Sequence, residues 1–500
     1  MSLRRRSSPR LVGLLLSAPI ALLAEPAAAS PLFELVGGTT GSGGLNGRAT
    51  GADAPATYFN PALLGRARAG FSLGVLVLSD QISMTLDGRE GGAVPLAVGN
   101  RDIVDGSGSA IPNDTVPTAW LEDGCNTPSC SPPFAKRPRQ GKSSSGVTRS
   151  YTVLGLVNPI VPRRLVLGLH ALIPNGEFTT ADAFYNDERE QFFSNSLHPE
   201  LYSDRLTATS LAFGAGGQIT DQLSFGFSFT LSLTNSARAG TYVRDPAEYG
   251  KLLLSTDVKV NTIVSPHFGV EYRPSDDLSF SATVHSEQKL VIETEFSAAL
   301  PSGPESSTTR KSVHDFVPWS FGLGSEVRLS DSFSLVGNVS YALWSDYLDR
   351  QGQNPEQAYG SAYAWKNTFA GAVGARQEFG AVTTFVDVGY TPTPVPEQTG
   401  RSNYVDSDRV SADLGVGYEF EAWGMRFRPE VQAQAHRVLN RYQAKDDSEL
   451  RDEVPDDSVV ASTGAALPGR AGLQTNNPGW PGFASEGWLL GGAASLTLLY

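Results

Sequence analysis

The chain has 500 residues, with 39 Lys+Arg against 52 Asp+Glu, a formal charge of −13, and only two Cys and three Met. With no basic surplus to displace phosphate counterions it is not a nucleic-acid binder, and two Cys are too few for a disulfide scaffold. An apolar content of 40% rules out a disordered chain, while 18% charged residues and 52 Gly set it apart from an average soluble domain.

Residues 1–29 read as a signal peptide. Arg4, Arg5, Arg6 and Arg10 precede the apolar run 11–24, and Ala27-Ala28-Ala29 offers a small-residue cleavage site. A membrane anchor is the weaker reading, because a run carrying Ser17 and Pro19 is too short for a bilayer core of ~30 Å. No later stretch is long and apolar enough for a transmembrane helix. Residues 30–68 are Gly-rich, show neither a period of 2 nor of 3.6, and read as an irregular segment ahead of the first strand.

From residue 69 to 500 the period is 2. In 223–234, Leu223, Phe225, Phe227, Phe229, Leu231 and Leu233 alternate with small or polar residues, and 333–344 repeats the pattern. Fourteen strands are expected: 69–86, 147–161, 164–178, 205–219, 223–240, 253–273, 278–298, 314–329, 333–348, 364–378, 382–392, 408–421, 425–441 and 486–500. Turns of two to four residues alternate with long connections, as in outer-membrane barrels with short periplasmic turns and long outer loops. The fold class expected is an all-β, transmembrane antiparallel barrel. Trp319, Trp344, Trp365 and Trp488 all fall at outer strand ends, where an aromatic girdle belongs.

Three outer loops stand out. Loop 87–146 holds Cys125 and Cys130, whose spacing in an exported chain reads as a local disulfide. Loop 179–204 carries Phe184, Tyr185, Phe192, Phe193, Leu197, Leu201 and Tyr202, either a greasy capture groove or loop-to-loop packing. Loop 442–485 contains the acidic run 445–458, a solvated loop or a divalent-cation bridge to lipopolysaccharide. The inward parity of the twelfth and thirteenth strands shows Asp413, Glu419, Glu421, Arg426, Arg428 and Glu430. These would line a porin-like channel for polar solutes, or brace something inside the barrel. The six His lie in no hydrolase or zinc-protease motif, so no catalytic residue, cofactor or metal is expected.

The Gly-rich run, Ala52-Asp53-Ala54, then Tyr58-Phe59-Asn60-Pro61-Ala62 and the first strand resemble the FadL/TodX family of outer-membrane transporters for long-chain fatty acids and other hydrophobic compounds. So do Pro318-Trp319-Ser320-Phe321-Gly322-Leu323-Gly324, Trp344-Ser345-Asp346-Tyr347, and Gly389-Tyr390 leading to Asp408-Arg409 and Gly415, Gly417 and Tyr418. The resemblance implies that residues 30–68 are a plug, or hatch, inside a barrel formed by 69–500, with Phe59, Asn60, Pro61 and Ala62 at the gate. It also implies a kink in the third strand that opens the wall sideways. Here the candidates are Gly168 and Pro174-Asn175-Gly176, although Pro-Asn-Gly also reads as a plain strand end. The function implied is passive uptake of a hydrophobic ligand, most of all a long-chain fatty acid, with lateral or plug-gated release. The setting implied is a monomer among outer-membrane lipid and lipopolysaccharide of a Gram-negative cell.

Overall fold

The computed structural model describes residues 32–51, 53–86, 147–176, 209–232, 239–244, 252–260, 264–299, 305–347, 365–399, 404–445 and 482–500, with short pieces at 102–104, 110–112, 142–143 and 198–199. The signal peptide, the Cys125–Cys130 pair, the seven apolar residues of loop 179–204 and nearly all of the acidic run lie outside the described residues.

Fourteen strands form one closed ring. They are β1 (Gly70–Leu86), β2 (Val147–Val161), β3 (Leu165–Pro174), β4 (Ser210–Gln218), β5 (Leu223–Ser232), β6 (Val264–Ser275) and β7 (Leu278–His285). The second half comprises β8 (Ser320–Ser330), β9 (Phe333–Ala342), β10 (Thr368–Phe379), β11 (Val382–Thr391), β12 (Arg409–Tyr418), β13 (Met425–Ala444) and β14 (Gly482–Leu499). Each pairs antiparallel with its successor in the chain. β14 closes on β1 from Gly70↔Leu499 to Leu86↔Phe483. Closure leaves no free sheet edge, which is what a bilayer demands of a strand protein.

The pleat sorts the side chains as the alternation implied. In β5, Phe225 and Phe227 are exposed while Ser224, Ser228 and Thr230 are buried. An environment-sensitive label on cysteines placed at Phe225 and Phe227 is therefore expected to be quenched by a lipid-borne quencher, and one at Ser228 or Thr230 spared. The reverse pattern would mean a one-residue slip of register. The last short turn is a two-residue one, with both Trp423 (φ 52°) and Gly424 (φ 71°) in the left-handed region and Ala422 paired to Met425.

Three expected strands are broken rather than continuous. Residues 253–273 divide into Leu252–Val260 and β6, 278–298 into β7 and Gln288–Ala299, and 314–329 into Glu305–Val317 and β8. The outer pieces, with Ala239–Arg244, form a separate four-stranded sheet beyond the ring. Pro318 sits at the break in 314–329. The described β6–β7 pairing ends at His267↔His285, and in the outer sheet Val260 pairs with Ile292. Pro266 accepts from Ser286 N at 3.0 Å but has no N–H to return.

The tryptophans divide. Trp319 and Trp488 are exposed on the outer face. Trp344 and Trp365 instead stack with each other at 5.8 Å, beside Tyr347 and Tyr404. They form a packed aromatic cluster at the loop end, not part of a lipid-facing belt.

Candidate functional site

The N-terminal segment lies inside the ring. It begins with α1 (Leu32–Val36), continues through a Gly-rich turn bridged between Gly38 and Gly44, and reaches α2 (Ala56–Phe59) and a 3-10 turn (Pro61–Arg66). Almost every described residue of it is buried, although its helices are too short to be stable alone. What holds it is the wall.

The polar side of the lumen grips the segment by its backbone. Glu430 accepts from Gly41 N at 2.9 Å. Asp387 accepts from Leu45 N at 2.9 Å and Asn46 Nδ2 at 2.8 Å. Arg376 forks onto both oxygens of Asp387 and also donates to the Gly43 carbonyl at 2.9 Å. Asn338 donates to the Leu45 carbonyl and Ser281 to that of Arg48. Ion pairs add to this: Arg66 with Glu271 and Glu326, Arg68 with Glu419, and Asp53 with Arg428, which also meets Glu430. Arg376 and Asp387 are almost wholly buried. Removing one partner of such a pair typically costs about 3–5 kcal/mol.

Of the inward charges expected from sequence, Glu419, Arg428 and Glu430 therefore engage the segment. Asp413 accepts from Gln432 at 2.7 Å, beside them. Glu421 and Arg426 do not line the lumen: both are exposed and face each other across the last turn. Arg376, Asp387, Asn338 and Glu271 were missed in the sequence. Inward parity within otherwise apolar strands was the signal that could have found them.

Asn60, Pro61 and Ala62 meet the wall at a seat made of glycine. Gly216, Gly226 and Gly269 lie side by side on β4, β5 and β6, in register as Gly216↔Gly226 and Gly226↔Gly269. A Cβ at Gly216 or Gly226 would fall inside contact of the Pro61 backbone, and one at Gly269 inside contact of Asn60 Oδ1. Asn60 is extended (φ −158°, ψ 94°), caps the following turn by accepting from Ala62 N at 3.1 Å, and donates to the Arg48 carbonyl. Pro61 opens that turn, where its missing N–H costs nothing. Phe59 packs beside Tyr58 at 5.0 Å, and its carbonyl faces His285 Nε2 at 3.3 Å.

The other side of the lumen is apolar. Leu32, Phe33, Leu35 and Val36 of α1, with Tyr58 and Phe59, pack against Leu76, Leu78 and Ile82 of β1, Tyr151 and Val153 of β2, Leu172 of β3, and Leu489 and Ala493 of β14. β1 is thus apolar on both faces, since Phe71, Leu73, Val75 and Val77 are exposed outside. Glu34, on the opposite face of α1, accepts from Arg48 at 2.6 Å and from the Tyr58 hydroxyl at 2.8 Å. Burial raises the Glu34 pKa, but Arg48 and His285 together outweigh it and hold the carboxyl well below the usual range. Burial, then the neighbouring Glu34, push the Tyr58 phenol up, so it stays a neutral donor.

Among the third-strand candidates, Gly168 faces the segment, where a Cβ would meet Thr57 and Leu64. Pro174 is the last residue of β3, Asn175 N donates to Ser150 O at 2.8 Å, and Gly176 has open space. β3 is paired to β2 as far as Pro174 and to β4 from Val166 to Leu172.

The family model described as outer membrane protein transport protein (OMPP1/FadL/TodX) matches residues 205–424. Among solved structures, a FadL homologue of Pseudomonas aeruginosa is similar at 16% identity, covering 91% of this chain and 95% of that one, with a TM-score of 0.48. The toluene transporter TodX of P. putida is 12% identical, covering 95% and 99%, with a TM-score of 0.44. The toluene transporter TbuX of Ralstonia pickettii is 12% identical, covering 95% and 99%, with a TM-score of 0.40. No curated protein matches the chain.

Proposed function

We propose, on the premise that the chain carries the FadL/TodX transport domain over residues 205–424, that it takes up long-chain fatty acids passively across the outer membrane of a Gram-negative cell. In this reading residues 30–68 are the plug, and the ligand binds between α1 and the apolar wall of β1–β3 and β14. The lined sector around Phe33 is the observation that carries it. Each methylene moved there from water contributes about 0.8 kcal/mol, so a long acyl chain gains most from such a wall. Release follows displacement of the segment or passage through the wall. The ionic grip on the segment explains the charges inside the barrel without making it a channel for polar solutes.

Binding tests this directly. Leu78→Asn with Leu172→Asn would put two amides into the apolar sector, where neither has a partner. Oleate binding by the purified protein is expected to weaken at least about tenfold, with the folded barrel band on a gel retained. Unchanged oleate binding would remove the sector from the ligand path. Toluene as competitor reads out whether an aromatic compound occupies the same place.

A further inference from the structure

We infer that His170 on β3, with Thr57 of the N-terminal segment and Ser210 on β4, forms a subsite for the polar end of the ligand, and that it reads this end as a hydroxyl or an un-ionised carboxyl group. The inference rests on the uptake function proposed above and adds which part of the ligand the apolar sector recognises, and how.

The ground is an unmet need inside an apolar wall. His170 is wholly buried and stacks on Phe33 at 5.0 Å, with 28° between the rings. Stacking uses the face of an imidazole, whereas its hydrogen bonds are made at the edge. Neither ring nitrogen of His170 has a partner in hydrogen-bond geometry. The Leu154 carbonyl bears on the ring, but it can serve only one of the two nitrogens. The wall explains why. In register beside His170 are Gly155 and Ala212, and next along its own face are Gly168 and Leu172. None of these side chains can donate or accept. Other lumen histidines are served by their neighbours: His267 has Thr230 Oγ1 at 2.5 Å, and His436 has Ser411 Oγ at 2.8 Å.

Two hydroxyls share the condition. A Cβ at Gly168 would fall 2.2 Å from Thr57 Oγ1, which places that hydroxyl one pleat along from His170. Ser210 pairs in register with Leu172, one pleat along in the other direction. Both side chains are buried, and neither hydroxyl has a hydrogen-bond partner. Buried polar groups without partners are costly and rare, so three along one stretch of wall call for a partner that the chain itself does not supply. Phe33, Leu172 and Ala212 around them belong to the apolar sector, where the ligand is proposed to enter between α1 and the wall.

The chemistry of the three sets the class of ligand. An uncharged imidazole offers one donor and one acceptor, and a hydroxyl offers both. Among the described residues no charged side chain acts on His170. A carboxylate ion would lose its hydration there without a counter-charge. A hydroxyl or a carboxylic acid both donates and accepts, and so matches the site in both directions. The apolar remainder of such a ligand lies along Leu76, Leu78 and Leu172.

Competition separates the parts. Purified protein is loaded with labelled oleate and challenged with octadecanol or with octadecane, the same chain without the hydroxyl. Wild type is expected to favour the alcohol by at least about tenfold, as a site with polar groups to satisfy rejects the analogue that lacks one. In His170→Phe, which keeps a ring against Phe33, the alcohol is expected to fall to the level of the hydrocarbon, with the heat-resistant barrel band retained. His170→Gln restores a donor and an acceptor and should recover most of the preference. Thr57→Val, nearly isosteric and made on the segment, is expected to lower the preference several-fold, and tests the subsite even if the ring substitution does not fold. Wild type that binds the two competitors alike, or a preference untouched by both His170→Phe and Thr57→Val, overturns the subsite and leaves uptake standing. Wild type that binds neither oleate nor either competitor refutes the uptake function, and the subsite with it.

Discussion

Removing residues 33–56 is expected to turn a nearly silent barrel into an open pore, with conductance in planar bilayers rising at least about tenfold over wild type. The deletion takes away Glu34, Asn46, Arg48 and Asp53 and the backbone groups of the segment that Asp387, Arg376 and Glu430 hold. The ring itself loses nothing, because its closure rests on strand pairing from β1 to β14. The freed wall charges then become wet, and two signs of charge along a hydrated lumen pass small ions. Cation and anion permeability should differ little, since Arg376 and Arg428 stand among Asp387, Asp413 and Glu430. A deletion variant that folds, inserts and stays silent would mean that something else closes the lumen.

Gly226→Ala is expected to have an effect out of proportion to one methyl group. The new Cβ lands inside contact of the Pro61 backbone, which cannot rotate away as a side chain could. Neighbouring Gly216 and Gly269 leave no slack on either side of the same seat. Overpacking of this kind typically costs about 1–3 kcal/mol, and here it falls on the docking of the segment. We expect conductance bursts absent from wild type, uptake of oleate lowered several-fold, and an unchanged heat-resistant band. Gly337→Ala is the control, because its nearest neighbours would sit at an ordinary 3.6 Å. Equal behaviour of the two variants would show that the glycine row bears no load.

The ring was legible from sequence because its signal is local. Period 2 in 223–234 and the short turns at Pro162-Arg163 or Phe379–Ala381 need no knowledge of what lies across the lumen. The breaks at Ser286-Glu287 and at Pro318-Trp319 were missed although Pro318 was in view, since the long alternation around each outweighed it. The glycine seat was not legible at all. Gly216, Gly226 and Gly269 are ordinary strand glycines until register sets them side by side. Asp387 and Arg376 became meaningful only once the partner, a backbone more than 300 residues away in the chain, was in place. Trp344 and Trp365 failed the girdle expectation for the same reason: sequence position gives height on the barrel, not whether a ring turns outward or toward Tyr404.

The location of the segment also constrains how the molecule is made. Residues 32–68 precede β1 in the chain, yet their ionic partners run as far as β13 and their apolar ones to β14, which seals the wall against β1. A body held from many directions within a ring enters most readily while one side is still unjoined. The final zipping of Gly70–Leu86 onto Gly482–Leu499 is thus a point of no return, after which a misplaced segment can be corrected only by reopening one of the two longest ladders among the described residues. The glycine row on β4–β6 gives the segment a landing place on strands well clear of that last seam, so docking and zipping need not compete.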